Sequence, residues 1–334
     1  MNTKRWIAII IAAFLLIFSV GLNAVIGFFS SDFVSSVTST SEIQLKEKVL
    51  EGGDFSKRIA LLTVDGVIQD VGSGTVWSEV EYDHKLFLKQ LDAILNDSTV
   101  QAVVLSVNSP GGGAIESAEI HEKLVQIKKE RNIPIYVSMG SMAASGGYYI
   151  AAPGDKIYAH RETITGSIGV IMSSYNFSQL AENFGVEFET IKSGDHKDMF
   201  SGTRPTTEEE KAMMQEMIND SYEVFVDVVE QGRGMSEAEV KAVADGRILG
   251  GSQAVKAGLV DELGGLDDAI ASLRADYGLQ TATLFEYESD TGGIGQIIGM
   301  KLGSLFGPSA EQQLLTKLMN TSNAPRLMYL YGEF

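Results

Sequence analysis

Three short, nearly continuous apolar runs, Ile59 to Val64, Val100 to Val107 and Ile133 to Ser138, have the pattern of strands buried on both faces. Apolar positions at helical spacing lie between them. Leu88, Leu91, Ile94 and Leu95 mark a helix over His84 to Asn96, and Ile115, Leu124 and Ile127 mark another over Ile115 to Lys129. Ile157 to His160, Ile168 to Ser173 and Phe188 to Lys192 read as further short strands. Thr206 with Glu209 fits a capping box ahead of a long helix to about Gln231, and Ser236 with Glu239 repeats the device before a helix to Ala244. Asp267 is placed to cap a helix ending near Gly278. Strands alternating with helices predict an α/β fold, a mainly parallel sheet with helices packed on it.

A different pattern precedes this one. Trp6 to Phe29 is apolar apart from Ser19, Gly21, Asn23 and neighbouring small residues, and is long enough to cross a hydrocarbon core of roughly 30 Å at about 1.5 Å per residue. Lys4 and Arg5 precede it, and no basic residue follows until Lys46. That asymmetry predicts one N-terminal transmembrane helix, with residues 1–5 cytoplasmic, 6–29 the signal anchor and the bulk of the chain extracytoplasmic at the cell membrane. A cleaved signal peptide is the competing reading, with a site after Ala24 weakened by Leu22. Residues 30–57 read as a Ser- and Thr-rich tether, with a short helix over Glu42 to Leu50 broken by Gly52 and Gly53. The α/β domain then occupies 58–285, and 286–334 is Gly-rich, then amphipathic.

Composition narrows the chemistry. The chain has no Cys, which excludes disulfides, thiolate metal sites and a Cys nucleophile. A formal net charge of -18 repels nucleic acid, so a nucleic-acid partner is not expected. No cluster of residues has metal-ligand spacing, and no metal or cofactor is expected.

Two Gly-rich turns and one lysine stand out. Asn108-Ser109-Pro110-Gly111-Gly112-Gly113 leaves a buried strand and enters a helix, so its N–H groups can face a ligand unobstructed. Such a turn suits a phosphate, a thioester oxygen or the oxyanion of acyl transfer, or is simply a tight connection. No Gly-Lys-Ser/Thr follows, which disfavours a P-loop. The second segment, Ser138 to Tyr149, also follows a buried strand and is built mostly of small residues. Ser145 there is an N-cap or a nucleophile, with the Gly146 N–H beside the developing oxyanion in the second case. A serine nucleophile needs a base. His84, His121, His160 and His196 carry no triad signature, and His84 and His121 read as solvated helix residues. Lys197 is the other candidate, although a lone lysine is more often a surface charge. A lysine amine acting near neutral pH must give up roughly 3 units from its ordinary value of about 10.4, or about 4 kcal/mol, which requires burial. Asp195 and Asp198 oppose that change if close, so their carboxylates are expected to point away.

At these residues the chain resembles a known family. The turn at 108–113, Gly140 to Tyr149, Thr165-Gly166-Ser167-Ile168-Gly169-Val170 and Lys192 to Lys197 occur in the order found in the signal peptide peptidase A family of S49 serine peptidases. The later Asp245-Gly246-Arg247, Gln253-Ala254 and Gly258-Leu259-Val260-Asp261 fit as well, and the match is to the short, single-copy, Gram-positive form. The resemblance implies a ClpP/crotonase-like fold and a Ser–Lys dyad with Ser145 as nucleophile and Lys197 as general base. It also implies Gly112 and Gly146 as oxyanion donors and Ser167 as the hydroxyl that orients the lysine. Implied partners are signal-peptide remnants and other unfolded peptides, the membrane, and further copies of the chain in a ring, with the dyad possible across a subunit boundary. A crotonase-type acyl-CoA enzyme and a non-catalytic peptide-binding scaffold are the alternatives. The C-terminal segment, Gly292 to Phe334, is open to three readings, an oligomer contact, a membrane-surface helix or a self-cleaved tail, and its end Leu327 to Tyr331 is apolar enough to resemble a substrate.

Overall fold

The computed structural model describes residues 45–70, 82–289 and 326–332. The expected membrane segment at 6–29 and most of 286–334 lie outside them. No helix among the described residues is long and apolar enough to cross a membrane.

The strands are β1 (Leu45–Glu51), β2 (Asp54–Asp65), β3 (Val100–Ser109), β4 (Gly111–Gly113), β5 (Ile135–Ala144), β6 (Lys156–Ala159), β7 (Ile164–Gly166), β8 (Ile248–Gly250), β9 (Glu262–Leu263), β10 (Ala282–Ser289) and β11 (Met328–Leu330). The helices are α1 (His84–Asn96), α2 (Ala114–Arg131), α3 (Gly146–Ala151), α4 (Ser178–Asn183), α5 (Glu208–Arg233), α6 (Glu237–Lys241), α7 (Gly251–Lys256) and α8 (Leu266–Tyr277). The main sheet runs β1-β10-β2-β3-β5-β6-β9, with β7 paired to β5 and β8 to β7. All its pairings are parallel except β1 with β10 and β7 with β8.

Both faces of the central strands are apolar because both are covered. Ala60, Leu62 and Val64 of β2 point to the side where Phe87, Leu91 and Ile94 of α1 and Ile120, Leu124 and Ile127 of α2 pack. Ile59 and Leu61 point to the other side, against Ala269, Ile270 and Leu273 of α8. Each such aliphatic side chain contributes roughly 1.5–3 kcal/mol on burial, so alternate residues on the same strand hold helices to opposite faces.

Some elements differ from expectation. Leu45–Glu51 is a strand rather than part of a helix over Glu42 to Leu50, held to β10 by backbone pairing and by Lys48 with Glu286 (2.9 Å) and Glu288 (3.0 Å). The strand expected at Ile168 to Ser173 comes earlier, as β7, because Gly166 (φ 77°) and Ser167 (φ 50°) turn the chain out of the ladder. Phe188 to Lys192 joins no ladder. The box before α5 is Thr207 with Glu210, one residue on from expectation, while Ser236 with Glu239 caps α6 as expected. That helix ends at Lys241 rather than Ala244. Asp267 is not a cap: Gly265 begins α8, and its N–H donates to Asp268 Oδ2 at 2.8 Å.

Candidate active site

β3 and β5 lie side by side and end at the same edge of the sheet, which brings the two Gly-rich segments together. Within the first turn, Ser109 Oγ accepts the Gly111 N–H at 3.0 Å. Gly111 has φ +98°, a conformation that suits glycine, and a Cβ there would lie 2.0 Å from the Tyr329 carbonyl oxygen and 2.6 Å from the Gly146 nitrogen. A Cβ on Gly146 would lie 3.0 Å from that same oxygen and 3.1 Å from the Gly112 nitrogen. Bare backbone therefore surrounds one carbonyl oxygen, and side chains at these positions would fill the space.

Ser145 sits between β5 and α3 with φ 53° and ψ −117°, a strained backbone for a residue with a side chain. Its N–H donates to the Gly166 carbonyl at 2.8 Å, and its own carbonyl accepts from Tyr149 at 2.9 Å. Its hydroxyl makes no capping bond, which removes the structural reason usually found for a serine at a helix start. Ser167 is also buried at positive φ, its N–H bonded to the Arg247 carbonyl at 2.7 Å. Both serines line a cavity of about 520 Å³ walled by Gln215, Asn219 and Tyr222 of α5, Lys241 of α6, and Leu330.

Gly112, Ser145, Gly146 and Ser167 are thus brought together. Lys197 is not among the residues lining the cavity; it is exposed on the turn Asp195–Phe200. The carboxylate of Asp198 is taken up by Lys192 (2.7 Å) and Arg204 (2.7 Å and 3.0 Å). The lysine that does line the cavity, Lys241, was not marked by any sequence signal. Its Nζ donates to Glu223 at 2.9 Å and Glu237 at 2.7 Å. Those two bonds hold its pKa above the usual lysine range, so it stays an ammonium and is unsuited to act as a base.

The histidines differ from expectation too. His84 is buried rather than solvated, bonded to the Tyr82 hydroxyl (2.7 Å) and to Glu119 (2.7 Å). His121 packs edge-on to Tyr149 at 5.2 Å, and burial lowers its pKa to about 4.

The sequence pattern left the C-terminal segment unplaced and marked no strand in it. β11 runs antiparallel to β4, pairing Met328 with Gly113, Tyr329 with Gly112 and Leu330 with Gly111. On its other edge Met328 exchanges both backbone bonds with Ile171, at 3.0 Å and 3.1 Å. The Tyr329 ring is 3% exposed, 5.0 Å from Tyr149 and 4.9 Å from Phe225, and its hydroxyl lies 3.1 Å from Ser221 Oγ. An extended peptide therefore lies across the glycine turn, with one carbonyl among the glycines and the next residue, Leu330, in the cavity beside Ser145. A serine at a strained strand–helix junction, next to backbone N–H groups around a carbonyl oxygen, is an arrangement suited to acyl transfer.

Comparison with known proteins agrees. Residues 127–280 match the model for peptidase family S49. The chain is 43% identical to "Putative signal peptide peptidase SppA" of Enterococcus faecium over 99% of both chains. It is 34% identical to Protease 4 of Haemophilus influenzae, over 66% of this chain and 35% of that one. Identity to the chloroplastic serine protease SPPA of Arabidopsis thaliana is 29%, over 66% of this chain and 30% of that one. By its glycine-cradled serine and its match to these relatives, the chain belongs to peptidase family S49 and is a serine peptidase.

Proposed function

We propose that the chain is a membrane-anchored endopeptidase of ClpP/crotonase-like fold that cleaves extended peptides outside the cytoplasm, signal-peptide remnants among them. Ser145 is the nucleophile and Lys197 the base. Unprotonated Lys197 takes the Ser145 proton as Oγ attacks the peptide carbonyl, and the oxyanion forms against the N–H groups of Gly112 and Gly146. Collapse breaks the C–N bond, and Lys197 returns the proton to the leaving amine. Water then hydrolyses the ester at Ser145, with Lys197 again as base and Ser167 orienting its amine. The observation that carries this reading is the Tyr329 carbonyl among Gly111, Gly112 and Gly146, with the next residue beside Ser145.

Lys197 reaches the serine of a second copy in this proposal. In one chain it is exposed, whereas a neutral lysine needs burial. Large apolar side chains in residues 175–191, the stretch leading into its turn, are exposed as on a surface that another copy covers: Ile191 is 95% exposed, Phe184 78% and Tyr175 76%. The homo-oligomeric ring on the membrane follows from the same reading. The test mixes Ser145→Ala and Lys197→Ala chains after dissociation and reassembly. Each is expected to be inactive alone, and the mixture to regain part of the wild-type rate. A mixture as inactive as its components refutes completion across copies.

A further inference from the structure

The turn that carries Lys197 is locked by a cluster of charges. Arg204 lies between two carboxylates and engages each with two bonds: Asp198 through Nε (3.0 Å) and Nη2 (2.7 Å), and Glu210 through Nη1 (2.9 Å) and Nη2 (2.5 Å). Glu210 is 1% exposed and also accepts the Thr207 N–H at 2.9 Å, closing the capping box of α5. Lys192 adds a second cation to Asp198 at 2.7 Å and donates to the Asp195 carbonyl at 2.7 Å. His196 stands 3.9 Å from both Glu209 and Glu210. Two more bonds brace the same loop: the Asn176 side-chain Nδ2 donates to the Arg204 carbonyl at 2.7 Å, and the Phe177 N–H to the Gly202 carbonyl at 2.9 Å.

The two formal charges on Arg204 and Lys192 balance the two on Asp198 and Glu210. Their bonds hold both carboxylates well below the usual range, so the balance persists through neutral pH. Asp198 is the residue next to Lys197. Without Arg204, Asp198 keeps Lys192 as its cation, and the adjacent Lys197 carries an exposed ammonium that its charge can draw in. α5, to which Arg204 ties the turn, also supplies Gln215, Asn219 and Tyr222 to the cavity wall.

We propose that Arg204 is a positioning residue for Lys197: it fixes the turn to the start of α5 and keeps the Asp198 charge from recruiting the amine. This rests on Lys197 being the base. The test uses the full, assembled chain and compares wild type, Arg204→Gln, Asp198→Asn/Arg204→Gln and Lys197→Ala in peptide cleavage across pH, with melting and oligomeric state measured alongside. Arg204→Gln is expected to lower kcat about tenfold at neutral pH, with KM within about threefold, and to move the acid limb of the kcat/KM profile up by about one pH unit. Removing the Asp198 charge in the double variant brings that limb back toward wild type. A purely structural role moves rate and melting together and leaves the limb in place. An unmoved limb in Arg204→Gln, or a double variant that fails to restore it, overturns the proposal while an inactive Lys197→Ala leaves the base assignment standing. An active Lys197→Ala overturns both.

Discussion

The tightest backbone contact in the glycine turn is at Gly112, where a methyl group would lie 1.8 Å from the Ile68 carbonyl oxygen and 2.5 Å from its carbon. Both neighbours are backbone, and Ile68 is itself anchored, its N–H donating to the Gly111 carbonyl at 2.8 Å and its carbonyl accepting from Gly113 at 2.8 Å. The methyl therefore cannot be absorbed by a rotamer change. Restoring van der Waals contact takes a displacement of about 1.5 Å, which β4 must supply. Misplacing a reacting group by about 1 Å can cost about a hundredfold, and losing one oxyanion donor costs about 10²–10³ in kcat, or about 2.7–4 kcal/mol. Because β4 is also the strand that β11 pairs with and that a substrate strand would pair with in the proposed reading, KM should rise as well. Gly112→Ala is thus expected to reduce kcat/KM by at least about a hundredfold, measured as initial rates on a quenched fluorogenic peptide. Gly52→Ala is the control, since a methyl there meets nothing within 4 Å. A folded Gly112→Ala enzyme within about threefold of wild type would refute the placement of the oxyanion at this turn.

Two other outcomes follow from particular contacts. β11 pairs with β4, where the proposed substrate strand would lie, and a tethered segment acts at an effective concentration of roughly millimolar, so a chain ending at residue 325 should cleave dilute peptide up to about tenfold faster; unchanged initial rates would show that β11 does not compete. Burial lowers the His121 pKa to about 4 from 6.5, so the unfolded chain takes up this proton first, and stability is lost as pH falls from about 6.5 toward 4. The unfolding free energy should fall between pH 7 and 4.5 by on the order of 2 kcal/mol more for wild type than for His121→Phe, measured by denaturant titration, and equal falls would show that His121 does not carry this loss.

Elements stabilised by their own side chains were legible in the sequence. Val103, Val104 and Leu105 are fully buried because helices cover both faces of β3, and an unbroken apolar run is the mark of such a strand. The glycine turns and Ser145 were legible for a related reason, since small residues clustered at the ends of buried strands imply close backbone contact. β1 was not legible, because Lys46, Glu47 and Lys48 are exposed and their strand exists only through pairing with β10. His84 read as a surface residue because Tyr82 and Glu119, which satisfy its ring nitrogens, make burial possible without marking the helix pattern. The position of β11 depends on contacts with Gly111–Gly113 and Ile171, far away in the sequence, which no local pattern encodes.

The central claim, that Ser145 is the nucleophile of this serine peptidase and Lys197 its base, is tested most directly by the cleavage rate of an unfolded protein substrate. Wild type, Ser145→Ala and Lys197→Ala chains are compared at equal concentration, each checked for folding and assembly. The account predicts cleavage by wild type and none above background by either variant. Cleavage by either variant at the wild-type rate would contradict it.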